Sequence, residues 1–356
     1  MSIIFAILIF SFLIFIHELG HFVCAKLSGV QVNEFALFMG PALFKWKRGE
    51  TQYSIRCIPI GGYCSMEGED DDTDNPRSFK KAAWWKQLII LVAGSFMNFV
   101  AGVLIFAIIL LPQKQVVEPV VREFAPCCEF TTEHCENGLQ VGDRILEIDG
   151  EKIYLNSDIS MMLSLNDTGL FDLVVLRDGQ QVEIHDLQMT HDCTDENGEK
   201  IVHFGFGFGM AKNASFGDRL KNVWNTTADN VRNARLSLQM IFSGRAGLKD
   251  MAGPVGIIDQ MGQMADASET TGEAVLNMLY FGGFIALNLA IMNLLPIPAL
   301  DGGRVVALLL TTGIEKITRK KIDPKYEGYI HMAGMVLLLL LMALILFKDV
   351  FTIFTR

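Results

Sequence analysis

The chain has 356 residues, 51% of them hydrophobic, and 30 Lys and Arg against 40 Asp and Glu give a formal net charge of −10. At roughly 100–200 residues per domain, this length suggests about two units. The acidity and the lack of a basic cluster argue against nucleic-acid binding. Gln87–Leu111 carries no charge over 25 residues and Ala274–Leu300 none over 27. Apolar runs beyond about 18 residues predict transmembrane helices, so the composition excludes a soluble globular enzyme. Seven cysteines without a CxxC argue against a disulfide scaffold, a zinc ribbon or a thioredoxin-type site.

The first apolar run, Ser2 to Ile16, lacks the basic start and the small-x-small site of a cleaved leader. It continues through His17-Glu18-Leu19-Gly20-His21 to Ala25, which predicts a span over 2–26. Positions i and i+4 share one helix face, so both imidazoles can reach one metal, with Glu18 placed to take a proton from a metal-activated water. Burying two His and a Glu near hydrocarbon is costly unless they are coordinated or paired. A satisfied structural cluster is the competing reading.

Residues 30–66 read as two strand-like stretches, Val32–Gly40 and Thr51–Ile60, joined by a basic turn and ended by Gly61-Gly62. Either they form a small surface hairpin or a membrane-associated sheet whose edge pairs with an unwound substrate. A second span follows at 87–111, with Gly94-x-x-x-Asn98 inside it. Lys and Arg crowd into 26–86 and 304–325, whereas 112–273 hold 13 Lys and Arg against 26 Asp and Glu. The positive-inside rule then puts the two basic segments in the cytoplasm, and the acidic segment and both termini outside. Cys127, Cys128, Cys135 and Cys193 fall in that outer segment, where at least one disulfide is expected.

Asn137–Gly150 reads as turn, alternating strand and turn, with Asp149-Gly150 and Asp178-Gly179 as hairpin dipeptides. A short helix (157–165) and strands over 171–177 and 181–187 complete a module over 116–211 that resembles a PDZ domain. The other reading is a generic β module. Residues 212–273 are predicted to be an amphipathic connector along the outer membrane surface, with Gly253-Pro254-Val255-Gly256 as a breaker.

A third span is predicted over 275–300, interrupted where Pro296 and Pro298 remove backbone donors. Asp301, in Asn293-Leu-Leu-Pro-Ile-Pro-Ala-Leu-Asp301-Gly302-Gly303, follows it directly. Spans one and three run the same way, so His17, His21 and Asp301 lie toward one end. Catalytic zinc takes three protein ligands and keeps one position open, which two histidines and one carboxylate would satisfy. A fourth span is predicted over 331–347, where His331 reads as a packing residue.

H-E-x-x-H in span one, N-x-x-P-x-P-x-L-D-G in span three and an inserted PDZ-like module together resemble the site-2 protease family of intramembrane metalloproteases, bacterial branch. The Gly94/Asn98 and Gly253–Gly256 stretches are also similar to family patterns. The resemblance implies an α-helical polytopic membrane protein of about four spans, with a cytoplasmic-side β-hairpin or sheet and an extracytoplasmic PDZ-like insertion. Its parts would be an N-terminal membrane half (1–111), the PDZ-like domain (116–211), the connector (212–273) and a C-terminal membrane half (274–356). The family implies zinc on His17, His21 and Asp301, and Glu18 as general base. Asn293, Pro296, Pro298, Gly61 and Gly62 would bind substrate.

The resemblance also implies a bacterial inner-membrane protease. Its substrates would be single-span proteins (anti-sigma factors, signal-peptide remnants) already cut outside, with the bilayer as its other partner and a peptide tail as a candidate ligand of the PDZ groove. The competing classes are a non-catalytic PDZ adaptor and a transporter with a structural metal site. Retention of Glu18 speaks against both, since a structural zinc site needs no base.

Overall fold

The computed structural model describes residues 2–69, 73–124, 138–166, 168–188, 191–194, 200–203, 206–245, 247, 253–319 and 324–355. In chain order the elements are α1 (Ser2–Ser28), β1 (Val32–Arg48), β2 (Thr51–Met66), α2 (Trp84–Leu110), β3 (Gln115–Phe124), β4 (Arg144–Ile148) and β5 (Glu151–Lys152). There follow α3 (Asn156–Leu165), β6 (Leu170–Arg177), β7 (Gln180–Gln188), β8 (His191–Thr194), β9 (Lys200–His203) and β10 (Phe206–Asn213). The chain ends with α4 (Phe216–Phe242), α5 (Pro254–Asp266), α6 (Thr271–Asn293), α7 (Asp301–Thr318) and α8 (Pro324–Thr355). They form two compact units, one of residues 1–106 and 230–356, the other of 107–229.

In the first unit, four helices are long and apolar enough to cross a membrane, over Ile3–Ser28, Trp84–Leu110, Thr271–Asn293 and Gly328–Thr352. They are apolar nearly all round: Ile4, Leu8 and Phe12 of α1 are exposed while Ala6, Ile9 and Leu13 are buried. That is the pattern of a helix that meets lipid on one side and protein on the other. Ala6, Ile9 and Leu13 pack with Ala101 of α2, Met261 of α5, and Phe281 and Ile285 of α6.

Two expectations need correction here. Gly253–Gly256 does not break a helix but starts one. Gly253 is the N-cap of α5 and Pro254 its first residue, where a missing N–H costs nothing. Asp349 of α8 accepts from the N–H groups of Gly253 (3.0 Å) and Gly256 (2.9 Å), so a carboxylate serves donors that the helix start leaves open. The segment after Asp301, read as a basic loop, is also helical. Span three ends at Asn293, and after the turn over 294–300 the chain re-enters helix as α7.

The β1–β2 sheet is built differently from a simple hairpin. Its outer part is one, with Arg48 facing Thr51 and Phe44 facing Ile55. Further on, Glu34, Phe35, Ala36 and Leu37 each have two partners. On one side these are Gln52, Tyr53, Ser54 and Ile55, rising in step and so locally parallel; on the other they are Ser65, Cys64, Tyr63 and Gly62, running antiparallel. The order across the sheet is therefore 44–48, 51–55, 34–37, 62–65. Gly61, at φ 70°, bends β2 back rather than ending it. Of the Ile55–Gly62 stretch expected to offer an edge, Ile55 is interior, paired with both Leu37 and Phe44. Among the described pairings, Gly62–Ser65 has a partner on one side only.

A polar knot ties this fold-back. Arg56 donates to Glu34 (2.8 Å), to the Gly40 carbonyl (2.7 Å) and to the Tyr63 hydroxyl, and Ser54 also donates to Glu34 (2.7 Å). Burial opposes ionisation of Glu34, but hydrogen bonds from Ser54, Arg56, Tyr63 and Gln52 outweigh it and hold the carboxyl at about 2. A depressed carboxylate pKa stabilises the fold above the ordinary value and loses that effect as pH falls toward the folded one. Glu34→Gln should thus destabilise the protein at pH 7 by about 1.5–3 kcal/mol. The difference in thermal midpoint from wild type should shrink between the usual carboxylate range and pH 2. An undiminished difference at low pH would mean that the charge of Glu34 is not what ties the knot.

The second unit holds a sheet of order β10-β3-β4-β6-β7 with β5 beside β4, and a separate β8–β9 pair. Asp149 and Gly150 (φ 50° and 78°) and Asp178 and Gly179 (φ 48° and 82°) all have positive φ. This is the mirror-image turn geometry that Asp-Gly favours in tight hairpins. Phe171, Leu173 and Val175 alternate inward on β6, Ile145 and Ile148 are both buried on β4 because its register shifts between them, and Ile159 and Leu163 of α3 are buried as well. Arg177 donates to both carboxylate oxygens of buried Asp143 (2.8 and 2.7 Å). Cys127, Cys128 and Cys135 lie outside the described residues, as do the side chains of Cys193 and His331.

On α4 the exposed Phe216, Leu220, Trp224 and Val231 fall along one face. This agrees with the amphipathic pattern read there.

Candidate active site

His17, Glu18 and His21 project from the second half of α1, where helical spacing stacks the two imidazoles one turn apart. Their rings meet edge to face with centroids 4.8 Å apart. Asp301, the first residue of α7, comes to them from 280 positions away in sequence. Its Oδ2 lies 3.3 Å from His17 Nε2 and 3.4 Å from His21 Nε2, and the two Nε2 atoms are 3.2 Å apart.

The turn before Asp301 fixes its place. Ala299 has φ 77°, and a Cβ on Gly302 would overlap the Leu294 carbonyl, so only glycine lets the turn close onto the start of α7.

These three atoms fit a metal better than they fit one another. His21 Nδ1 donates to the Ile90 carbonyl of α2 at 2.8 Å. A carbonyl only accepts, so the proton sits on Nδ1 and the lone pair of Nε2 faces the triangle. The Asp301 Oδ2 is buried and, despite its ion-pair distances to both rings, accepts no hydrogen bond. Lone pairs converging on one point repel unless a cation lies between them. Zinc held at 2.0–2.1 Å by tetrahedral ligands sets its ligand atoms roughly 3.3–3.4 Å apart, close to the triangle observed here. No other group of three such residues among those described could hold a metal.

Gly94 makes room for this arrangement. A Cβ there would overlap His21 Nε2 and lie 2.7 Å from His17 Cε1. Ile90, Gly94 and Asn98 follow each other at four-residue spacing on α2, so one stripe of that helix backs both rings. Asn98 is buried, with Nδ2 3.4 Å from His17 Nδ1.

The triangle opens into a cavity of about 380 Å³ that Glu18 also lines. One wall is the β2 edge from Gly62 to Met66, and another is the ion pair of Glu69 and Arg304. Of the residues expected to bind substrate, Gly62 lines this cavity; Gly61, Asn293, Pro296 and Pro298 do not. Asn293 is the last residue of α6, and the two prolines lie in the turn beyond it.

Sequence reasoning missed the Tyr63–Met66 edge, the Glu69–Arg304 pair and the backing by Ile90. One signal was available: Gly94 and Asn98 repeat at the interval that would face His17 and His21 from a neighbouring helix.

The model of peptidase family M50 matches residues 5–341 of the chain. A Clostridium perfringens protein described as a candidate zinc metalloprotease is 38% identical, covering 98% of both chains. The zinc metalloprotease RasP of Bacillus licheniformis is 28% identical, again over 98% of each. The regulator of sigma-W protease RasP of Bacillus subtilis is 27% identical over 98% of each. With so nearly complete a match and a ligand triangle of the size zinc requires, the chain belongs to peptidase family M50 and is a zinc metalloprotease carried on membrane helices.

Proposed function

We propose that this protease cuts single-span membrane proteins at a peptide bond within or near the span, after a first cut outside. The observation that carries the reading is the meeting, in one cavity, of three converging ligand atoms, a glutamate and an unpaired strand edge. His17, His21 and Asp301 would hold zinc. The metal would supply a Lewis acid that polarises the scissile carbonyl and makes water acidic enough to attack near neutral pH.

Glu18 accepts a proton from the attacking water and returns it to the leaving amine. A helical substrate hides its scissile bond, so it must be extended first, and main-chain pairing along Gly62–Ser65 provides that geometry. Pairing through the backbone implies loose sequence preference and a need for helix-breaking residues in the substrate. Gly61 and Gly62 let the substrate backbone come close. Asn293, at the end of α6 before the Pro296–Pro298 turn, contacts the substrate or its developing oxyanion.

Anti-sigma factors are one substrate class the family resemblance implies, in keeping with a Bacillus subtilis relative named a regulator of sigma-W protease; signal-peptide remnants have the same single-span form. We place the 26–86 and 304–325 segments in the cytoplasm of a bacterial inner membrane on their charge. The 116–211 module is then an external PDZ-like filter that excludes substrates with an intact outer domain, and 212–273 the connector behind it.

The full chain in proteoliposomes, given a single-span substrate, should lose activity on chelation with 1,10-phenanthroline and regain it with zinc. Asp301→Asn and His17→Ala should lower zinc content by elemental analysis; stoichiometric zinc in both would remove the ligand assignment. The same assay with a substrate that keeps its outer domain should give cleavage only once 116–211 is deleted. No gain after deletion would count against the filter.

A further inference from the structure

We infer that Asn98 is a positioning residue for His17, its side-chain carbonyl accepting the Nδ1 proton so that Nε2 is held toward the metal. The inference rests on reading His17 as a zinc ligand. An imidazole that offers Nε2 to a cation carries its proton on Nδ1, and a buried N–H without an acceptor costs about 1–3 kcal/mol. His21 meets that need with the Ile90 carbonyl. The group at His17 Nδ1 is the Asn98 amide, 3.4 Å away through Nδ2.

In that orientation two donors would face each other once zinc takes Nε2, while Oδ1 of Asn98 is buried and accepts nothing. A half-turn of the amide exchanges the two ends within the same space and gives Nδ1–H its acceptor. With Asn98 only 1% exposed, no bulk water replaces it. Helix α2 would thus orient both rings from one stripe, by main chain at Ile90 and by side chain at Asn98. Outer acceptors of this kind fix the tautomer and raise the basicity of a metal-bound imidazole.

Two substitutions separate this role from its rivals. Asn98→Leu keeps the volume and removes the acceptor; Asn98→Asp keeps the acceptor and removes the donor. Zinc affinity of the detergent-solubilised full chain, measured by competition with a chromophoric chelator, should fall about 10–100-fold in Asn98→Leu. Asn98→Asp should lie closer to wild type. The thermal midpoint of each zinc-free variant reports folding, and if Asn98→Leu does not fold, Asn98→Ala takes its place in the comparison. Wild-type affinity in the variant lacking the acceptor overturns the inference, as does an Asn98→Asp protein that binds no better than that variant, because the amide then acts as donor or filler. Undiminished zinc in His17→Ala would overturn the ligand assignment and this inference together. Loss there, with Asn98→Leu unaffected, overturns this inference alone.

Discussion

Replacing Glu18 by Gln is expected to lower peptide hydrolysis by about 10²–10⁴-fold, the usual contribution of a positioned general base, while zinc content and thermal midpoint stay at wild-type values. Glutamine has nearly the shape of glutamate and keeps a carbonyl acceptor, so packing should be preserved. The local fit is close: a Cβ on Gly62 would stand 3.1 Å from Glu18 Cγ, which puts the Glu18 side chain against the strand edge that we propose binds substrate. It thus sits between the ligand triangle on one hand and the edge on the other. What glutamine cannot do is take up a proton. A metal site kept only for structure would not change on this substitution. Elemental analysis beside a cleavage assay on the same preparation decides the matter. Hydrolysis at the wild-type rate would take the base away from Glu18, and loss of zinc along with activity would make it part of the metal site instead.

The membrane helices were legible because apolar length is a local property: 25 uncharged residues from Gln87 need no tertiary context to be read. His17 and His21 were legible for the same reason, since one helical turn brings them together. Asp301 could be paired with them only through span direction, an inference about topology rather than distance.

What was misread depends on neighbours far along the chain. Gly61-Gly62 looks like the end of a strand, because glycine usually weakens one. Here the positive φ of Gly61 turns β2 back along β1 and makes the 62–65 stretch the outer edge. Arg304 and Lys316 read as loop charges because a basic segment between two spans resembles a cytoplasmic connection. In the structure Asp301–Thr318 is a helix with Gly302 locked beneath the preceding turn. The role of Gly94 was hinted at only by its spacing from Asn98: its contribution is the side chain it lacks, and only the position of the two rings shows why.

That absence leads to the other large effect. Gly94→Ala adds one methyl group to a helix interior, where propensity alone favours alanine by about 0.8–1.0 kcal/mol. A residue of no special importance would therefore become slightly more stable. At this position the new Cβ would overlap His21 Nε2 and approach His17 Cε1 to 2.7 Å and His17 Nδ1 to 2.9 Å. The rings have nowhere easy to go, since Ile90 holds His21 by its Nδ1 and Asn98 borders His17. Overpacking of this kind costs about 1–3 kcal/mol, enough to reverse the sign given by propensity. Because the displaced atoms include the His21 nitrogen that we propose binds zinc, zinc affinity should fall by at least the roughly 10–100-fold seen when supports of metal-bound histidines are lost, and hydrolysis should fall with it. Gly102→Ala, two turns along the same helix, separates ring displacement from the mere addition of a methyl group. Its Cβ would meet Leu287 side-chain atoms at 2.9 Å and the Gly283 carbonyl at 3.2 Å, and no part of the site. That variant should bind zinc as wild type does. Equal zinc affinity in Gly94→Ala and wild type would show that the rings are not held against α2 as the structure places them.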